Sequence, residues 1–443
     1  LSLLLARGTA TMRAIIVGAG LGGLTCAISS RQQGIDVVIL ERSPEVREVG
    51  AGIQIPPNGT RVMRDLGLLP QLLKKGSQVQ DVDFRRYKDG RILRSMPFGD
   101  DITQDFGAPW VLIHRIDYHR ILLDEAIRLG AVLMLGAEVE NVSVEAPEVI
   151  LTDGRKLSAD VLIGADGQWS TIRKAVLRTP MSPVETGDLA YRATFTRGQL
   201  ESLGDDKVNE LIQKVSVTSW LGPKKHTIFY PVRGGQEFNL VLLRPDNLAA
   251  GTRRVEGDVE EMRESYADWD ETLKKLISCV PTVYKWKLTS LAELDTWTKV
   301  GRGCPSGRCL SSHSPYQAQG AAMAVEDGAV IGKLLGFLQD RSLSNDSSLV
   351  ASVLKLYEQI RKAQTTRNVR GAAMNRQLFH IDDGILQIIR DFALRYAGVT
   401  RKSDWTWFSS FRQRQTLGND VLRDCEKALQ AWEVDVLQQK KTQ

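Results

Sequence analysis

Three glycines and a glutamate near the start of the chain carry its strongest chemical signal. Gly18, Gly20 and Gly23 form G-x-G-x-x-G within "RAIIVGAGLGGLTCAISSRQQGIDVVILER", and Glu41 ends that stretch's second apolar run. Gly18 permits a tight turn, Gly20 lets backbone approach a pyrophosphate, and Gly23 lets a helix pack close to a strand. A helix opening there offers unpaired N–H groups and about half a positive charge to the phosphates. Glu41 lies about 20 residues beyond the glycines, the spacing that reaches a ribose 2′-hydroxyl. This is dinucleotide chemistry, although the fingerprint alone does not separate FAD from NAD.

These residues meet only if residues 14–17 form a buried parallel strand, 24–33 a helix ended by Gly34, and 37–40 a second buried strand. The 443 residues, 42% hydrophobic and 25% charged, leave room for two or three domains around a sizeable core. A net charge of +5 with interspersed signs argues against nucleic acid as a partner. Five cysteines without paired spacing suit a reducing, cytoplasmic setting. No apolar run approaches the roughly 18 residues that span a bilayer. The opening "LSLLLARGTAT" reads as upstream or unprocessed sequence, with Met12 as the natural start.

Further along, Ala51 and Gly52 in "GAGIQIPPN" suit close approach to a flat ring, and Pro56–Pro57–Asn58 begins a helix. Arg115 stands just before an amphipathic helix. In "DVLIGADGQWSTIRKAV", residues 160–163 read as a strand, Asp166–Gly167 as a tight turn, and Ser170 as the cap of a helix. Residues 180–295 turn β-branched and aromatic, with Gly-rich turns at "LGP" and "RGG", and predict an antiparallel sheet. From about 345 the chain is helical and charged, and "DWTWFSSFRQRQ" clusters aromatics for packing or a dimer interface.

The motifs "GAGLGG…VVILER", "GAGIQIPPN", "HRIDYHR", "GADGQWSTIR", "AYRA", "YPVRGGQEFNLV" and "PYQAQGAAMAVEDGAV" follow one another from Ile15 to about Leu335. In that order the chain resembles the single-component FAD-dependent aromatic hydroxylases, the class A flavoprotein monooxygenases, in their salicylate hydroxylase-like fungal branch. The resemblance implies an α/β fold: a Rossmann-like FAD-binding domain with an inserted antiparallel-sheet substrate domain and a helical C-terminal region. We expect an extension over 1–11, the FAD domain over 12–180, the substrate domain over 181–295, a return to the FAD domain over 296–345, and helices over 346–443. Glu41 would bind the adenosine ribose. Ala51, Gly52 and Arg115 would contact FAD, and Asp166 would belong to a motif serving both FAD and NAD(P)H. Gln319, Gly320, Ala321 and Ala322 would open a helix of small residues running through Asp327. Its N-terminus would face the flavin N1–C2=O edge.

By the same resemblance the protein is expected to be an FAD-dependent monooxygenase. It would hydroxylate a phenolic or other small aromatic substrate with NAD(P)H and O2 through a flavin C4a-hydroperoxide, in secondary metabolism or aromatic catabolism. Arg192 and Tyr230 are the candidates for the active centre. A guanidinium stabilises a phenolate, which raises ring electron density, and a tyrosine can relay the phenolic proton. A surface arginine and a core tyrosine are the plainer readings of the same two residues. His114 and His226 lack ligand spacing and read as ordinary polar residues, and no metal is expected. A second G-x-G-x-x-G unit is missing, so NAD(P)H would be a transient co-substrate. An epoxidase- or halogenase-like oxidoreductase and an inactive flavoprotein remain as alternatives, and the expected state is monomer or homodimer.

One stretch departs from the family. Ahead of "PYQAQG" the pattern is an apolar strand ending G-D-A-x-H-P, whereas "VGRGCPSGRCLSSHS" at 300–314 holds no "GD". Permissible codons for it, read one base later, yield W-A-V-V-A-L-L-G-D-A-C-H-P-T-L, with Gly at Gly307 and Asp where Arg308 stands. A compensated frameshift in gene, transcript or gene model accounts for that. Taken literally, the glycines and Pro305 suit a buried central strand poorly. Arg308 would also replace a flavin-binding carboxylate, so weak FAD retention and poor activity are expected.

Overall fold

Strand β1 (Arg13–Val17), helix α1 (Leu21–Gln32) and strand β2 (Asp36–Glu41) form the first unit of the computed structural model. That model describes residues 11–46, 51–99, 101–178, 181–298, 303–306, 316–341, 343, 346–396 and 410–442. The helix starts three residues before the expected 24, because Gly20 already serves as its N-cap. β1 and β2 pair in parallel, joined by β3 (Val132–Leu135), β4 (Val161–Gly164) and β5 (Gly303–Pro305) in the order β5-β4-β1-β2-β3. Ile15, Ile16, Ile39 and Ile163 are buried, as parallel strands covered on both faces require.

β5 is the described part of the irregular stretch at 300–314. It lies at the edge of this sheet, not at its centre, and a proline is tolerated in an edge strand. Cys304 is buried there, and the Ser306 N–H donates to the Gly164 carbonyl at 2.8 Å. Residues 299–302 and 307–315, with Gly307 and Arg308, lie outside the described residues. So do 1–10 and 397–409, which include the first half of "DWTWFSSFRQRQ".

The second layer is an eight-stranded sheet. Its order is Arg254–Gly257, Val283–Ser290, Val184–Thr196, Glu237–Pro245, Lys225–Val232, Ser216–Gly222, Asp81–Arg86 and Ile92–Pro97. Two findings differ from the expected antiparallel domain over 181–295. The last two strands come from the segment assigned to the FAD domain, and Ser216–Gly222 pairs with Asp81–Arg86 in parallel. No local pattern in "DVDFRRYKDG" names a partner so distant in sequence.

Five further helices matter for the site: α2 (Pro57–Asp65), α3 (Arg115–Arg128), α4 (Thr171–Leu177), α5 (Gly320–Asp340) and α6 (Ser347–Phe379). The helix expected to run through 327 continues to Asp340. Val330, Ile331, Leu334, Leu335 and Leu338 extend its apolar pattern and are all buried. α5 lies against α1, where Ser29 Oγ donates to the Ala329 carbonyl at 3.0 Å. α6 is capped by the Asp346 carboxylate, which accepts from Ser348 N at 2.9 Å. Its fully buried Arg361 reaches Asp327 at 2.5 Å and Glu326 at 2.9 Å, clamping α6 to α5. Among the described residues no helix is long and apolar enough to cross a membrane.

Candidate active site

The turn between β1 and α1 shows why its glycines stand where they do. Gly18 has φ +107°, and a Cβ there would strike the Ala165 carbonyl. A Cβ on Gly23 would strike the Gly18 carbonyl. Gly20 is the opposite case: a Cβ there meets no atom of the described residues within 4 Å. The N-terminus of α1 has no side-chain cap and no acidic residue in its first turn. Glu41 accepts backbone N–H bonds from Ala19 and Ser43, each at 3.0 Å, and a carboxylate retains lone pairs for a ribose hydroxyl. An open positive helix end beside a fixed carboxylate fits the adenosine diphosphate part of FAD.

Asp166 stands at the start of α4. Its two oxygens accept from Ser170 Oγ at 2.5 Å and from Thr171 N at 2.6 Å, so the carboxylate organises the start of α4. Ser170 caps that helix, as its sequence indicates.

A second cluster forms where three elements converge. Gly52 begins the strand Gly52–Ile55 and pairs with His114 across Val111–His114. Arg115 is the first residue of α3, not one ahead of it, and its N–H donates to the Ala51 carbonyl at 3.0 Å. The large sheet closes on this corner from the other side. Gly52 N donates to Asn239 Oδ1 at 2.9 Å, and a Cβ on Gly52 would lie 2.6 Å from Tyr230 Cε2. Glycine is required here so that the sheet can approach.

Strand alternation puts Asp188, Ala190 and Arg192 on one face of the large sheet. Across from them on that face lie Val241 and Asn239, then His226, Ile228 and Tyr230. Ile228 and Val241 are only half-buried, so the middle of this face is open. Arg192 is exposed, yet protein crowds it enough that desolvation and Arg115 depress its pKa, with Tyr230 opposing. Tyr230 is buried, which pushes its phenol above the usual range despite Arg192 nearby.

His226, read from sequence as an ordinary polar residue, belongs to this face. Its Nδ1 lies 2.8 Å from His380 Nε2, and its buried Nε2 has no hydrogen-bond partner among the described residues. Burial holds both imidazoles below their ordinary pKa, His380 down to about 4. Next to them Tyr316 donates to Asp188 at 2.5 Å, and Arg376 holds the same carboxylate. Asn239 was missed from sequence, and its buried Nδ2 has no hydrogen-bond partner among the described residues. The two-residue period from Tyr230 back to His226 was a usable signal; the identity of the buried face was not.

The start of α5 lies beside the start of α2. Gln319 and Asn58 exchange amide hydrogen bonds at 2.9 and 3.3 Å, and Asn58 also donates to Glu326 at 3.2 Å. Gln319 precedes the helix without capping it, and Gly320 and Ala321 are half-buried, so the first-turn N–H groups can face a ligand. A cavity of about 360 Å³ opens at Gln317, Arg367, Asn368, Asn375 and Arg412. Neither Arg192 nor Tyr230 lines it, and the convergence of Gly52, Arg115, Arg192 and Tyr230 locates the candidate chemistry better than its volume does.

Residues 11–372 match the FAD binding domain family. The chain belongs to that family. It is an FAD-dependent oxidoreductase. The FAD-dependent monooxygenase OpS4 of Beauveria bassiana (strain ARSEF 2860) is 38% identical over 422 residues, covering 94% of this chain and 96% of its own. The 3-amino-4-hydroxybenzoate 2-monooxygenase of Streptomyces cremeus is 32% identical, covering 87% and 92%. A salicylate hydroxylase substrate complex superposes with a TM-score of 0.77 at 19% identity, over 95% of this chain and 98% of its own. HpxO of Klebsiella pneumoniae, complexed with FAD and uric acid, gives 0.73 at 23%, over 94% and 97%. At such identities the two structures speak for the mixed α/β fold alone.

Proposed function

We propose that the protein is a monooxygenase that transfers one atom of O2 to a phenolic or benzoate-like ring, with NAD(P)H as reductant. The carrying observation is Arg192 on one sheet face with buried Tyr230, whose ring closes on Gly52 where Arg115 meets Ala51. Relatives whose names specify hydroxybenzoate substrates support the substrate class. Gly18, Gly20, Gly23 and Glu41 would hold the dinucleotide end of FAD. Ala51, Gly52, Arg115, Gly320 and Ala321 would hold its ring end, with Asp166 fixing the α4 turn behind the glycines. When bound, FAD supplies the two-electron chemistry that activates O2.

The chain's own residues do the rest. Arg192 pairs with the substrate phenolate and keeps it ionised, because a guanidinium stays charged at any working pH. Tyr230, its own proton held firmly by burial, hydrogen-bonds the phenolic oxygen and orients the ring. The large sheet covers the ring and excludes water. NAD(P)H has no second nucleotide cradle in the sequence and would visit from outside.

Arg192→Ala tests this reading. Hydroxylation should fall by roughly 10²–10³-fold in kcat while the flavin spectrum is retained. Near-normal turnover would remove Arg192 from the mechanism.

A further inference from the structure

Helix α7 (Ile385–Tyr396) is amphipathic the wrong way round. Its buried residues are Gln387, Arg390, Asp391 and Leu394. Its outward face carries Ile385, Leu386, Ile388, Ile389, Phe392 and Tyr396, each between 50% and 77% exposed. The helix cannot roll to bury them, because its polar side is tied down. Arg390 holds Asp391 at 2.7 and 2.9 Å and donates to the Leu378 and Phe379 carbonyls at 3.2 and 3.3 Å. Gln387 also donates to Asp391, and Arg86 stands 3.6 Å from the same carboxylate. The orientation is therefore built, and the apolar stripe is meant to face outward.

We propose that this face pairs with the same face of a second copy of the chain, the two α7 helices crossing antiparallel about a twofold axis. Two observations favour a second copy. At roughly 150–200 Å² of surface per such side chain, the exposed fractions amount to roughly 600–750 Å² per chain. That exceeds the patches of about 300–600 Å² usual on a monomer and approaches the ~800 Å² that each partner gives to a standard interface. Charge provides the second observation. The exposed Asp382 stands just before the helix and the exposed Arg395 near its end, so an antiparallel pair sets each aspartate opposite the other chain's arginine. A lipid surface fits less well, since interfacial helices carry several Lys or Arg around the apolar face, and Arg395 is the single charged residue among those exposed on α7.

Sedimentation of the full FAD-loaded protein tests the pairing. The wild type should run at twice the chain mass. Ile389→Glu with Phe392→Glu should weaken dimerisation at least roughly 30-fold, with flavin absorbance and far-ultraviolet circular dichroism unchanged. Arg395→Asp alone should weaken it less, and adding Asp382→Arg should restore it. A wild-type monomer at every concentration would overturn the proposal, as would a dimer indifferent to the double glutamate variant. Monomers that float with phosphatidylcholine vesicles through Phe392 would overturn it in favour of a membrane surface.

Discussion

The β1–α1–β2 turn and the open face of the large sheet reach their function by opposite routes. In the turn the steric demands are mostly short-range: Gly23 lies against Gly18 and Glu41 accepts from Ala19, with Ala165, just past the end of β4, closing over Gly18. On the sheet face the decisive pairs come from distant segments, Gly52 with Tyr230 and Asn239, Asp188 with Tyr316 and Arg376. A cradle for a common cofactor is a local, steric object. A site for one reaction is assembled from the whole fold, and substitutions should separate the two.

The largest effect is expected in the turn. Gly23→Ala drives a methyl group into a backbone carbonyl and should prevent accumulation of a folded, yellow protein. Gly20→Ala, three residues earlier, meets no atom of the described residues. Its stability should change by less than about 0.5 kcal/mol while FAD affinity falls, as thermal melts and flavin titration would show. Equal loss of fold in both variants would break the contrast.

Next comes the buried clamp. Arg361→Met leaves Glu326 and Asp327 without their cation and should cost about 3–5 kcal/mol in denaturant unfolding. On the sheet face, Tyr230→Phe keeps the packing against Gly52 and removes one hydrogen bond to substrate. A drop of roughly tenfold in kcat/KM with unchanged FAD binding is expected, equivalent to about 1.4 kcal/mol.

The last effect is a slope. Burial pushes the His380 imidazole down to about 4, against the pull of Asp188 and with the push of Arg376. The unfolded chain takes that proton near pH 6.5, so between those values it binds more protons than the folded protein does. Stability should therefore be full above about pH 6.5 and decline as pH falls toward 4. His380→Asn should flatten the urea-midpoint profile across that window.

The dinucleotide unit was legible because its rules act within a few residues. Arg192 and Tyr230 were legible as types within motifs, but their shared face depends on strand register. His226 escaped notice because a histidine without ligand spacing carries no local signal, and only the sheet puts it beside His380. The strands at 81–97 were assigned to the wrong domain because a strand's partner is not written beside it. Arg361 carries no signal of its own in a helical, charged stretch, and only the packing of α5 makes it a buried ion. For 300–314, sequencing the transcript tests the frameshift proposal, and an unbroken in-frame reading ends it.

Turnover under mass-labelled O2 tests the central claim most directly. With FAD, NAD(P)H and a panel of phenolic acids, one substrate should gain a single labelled oxygen atom, with NAD(P)H consumption that depends on that substrate. Label that appears only in hydrogen peroxide, or product oxygen drawn from water, would contradict the account.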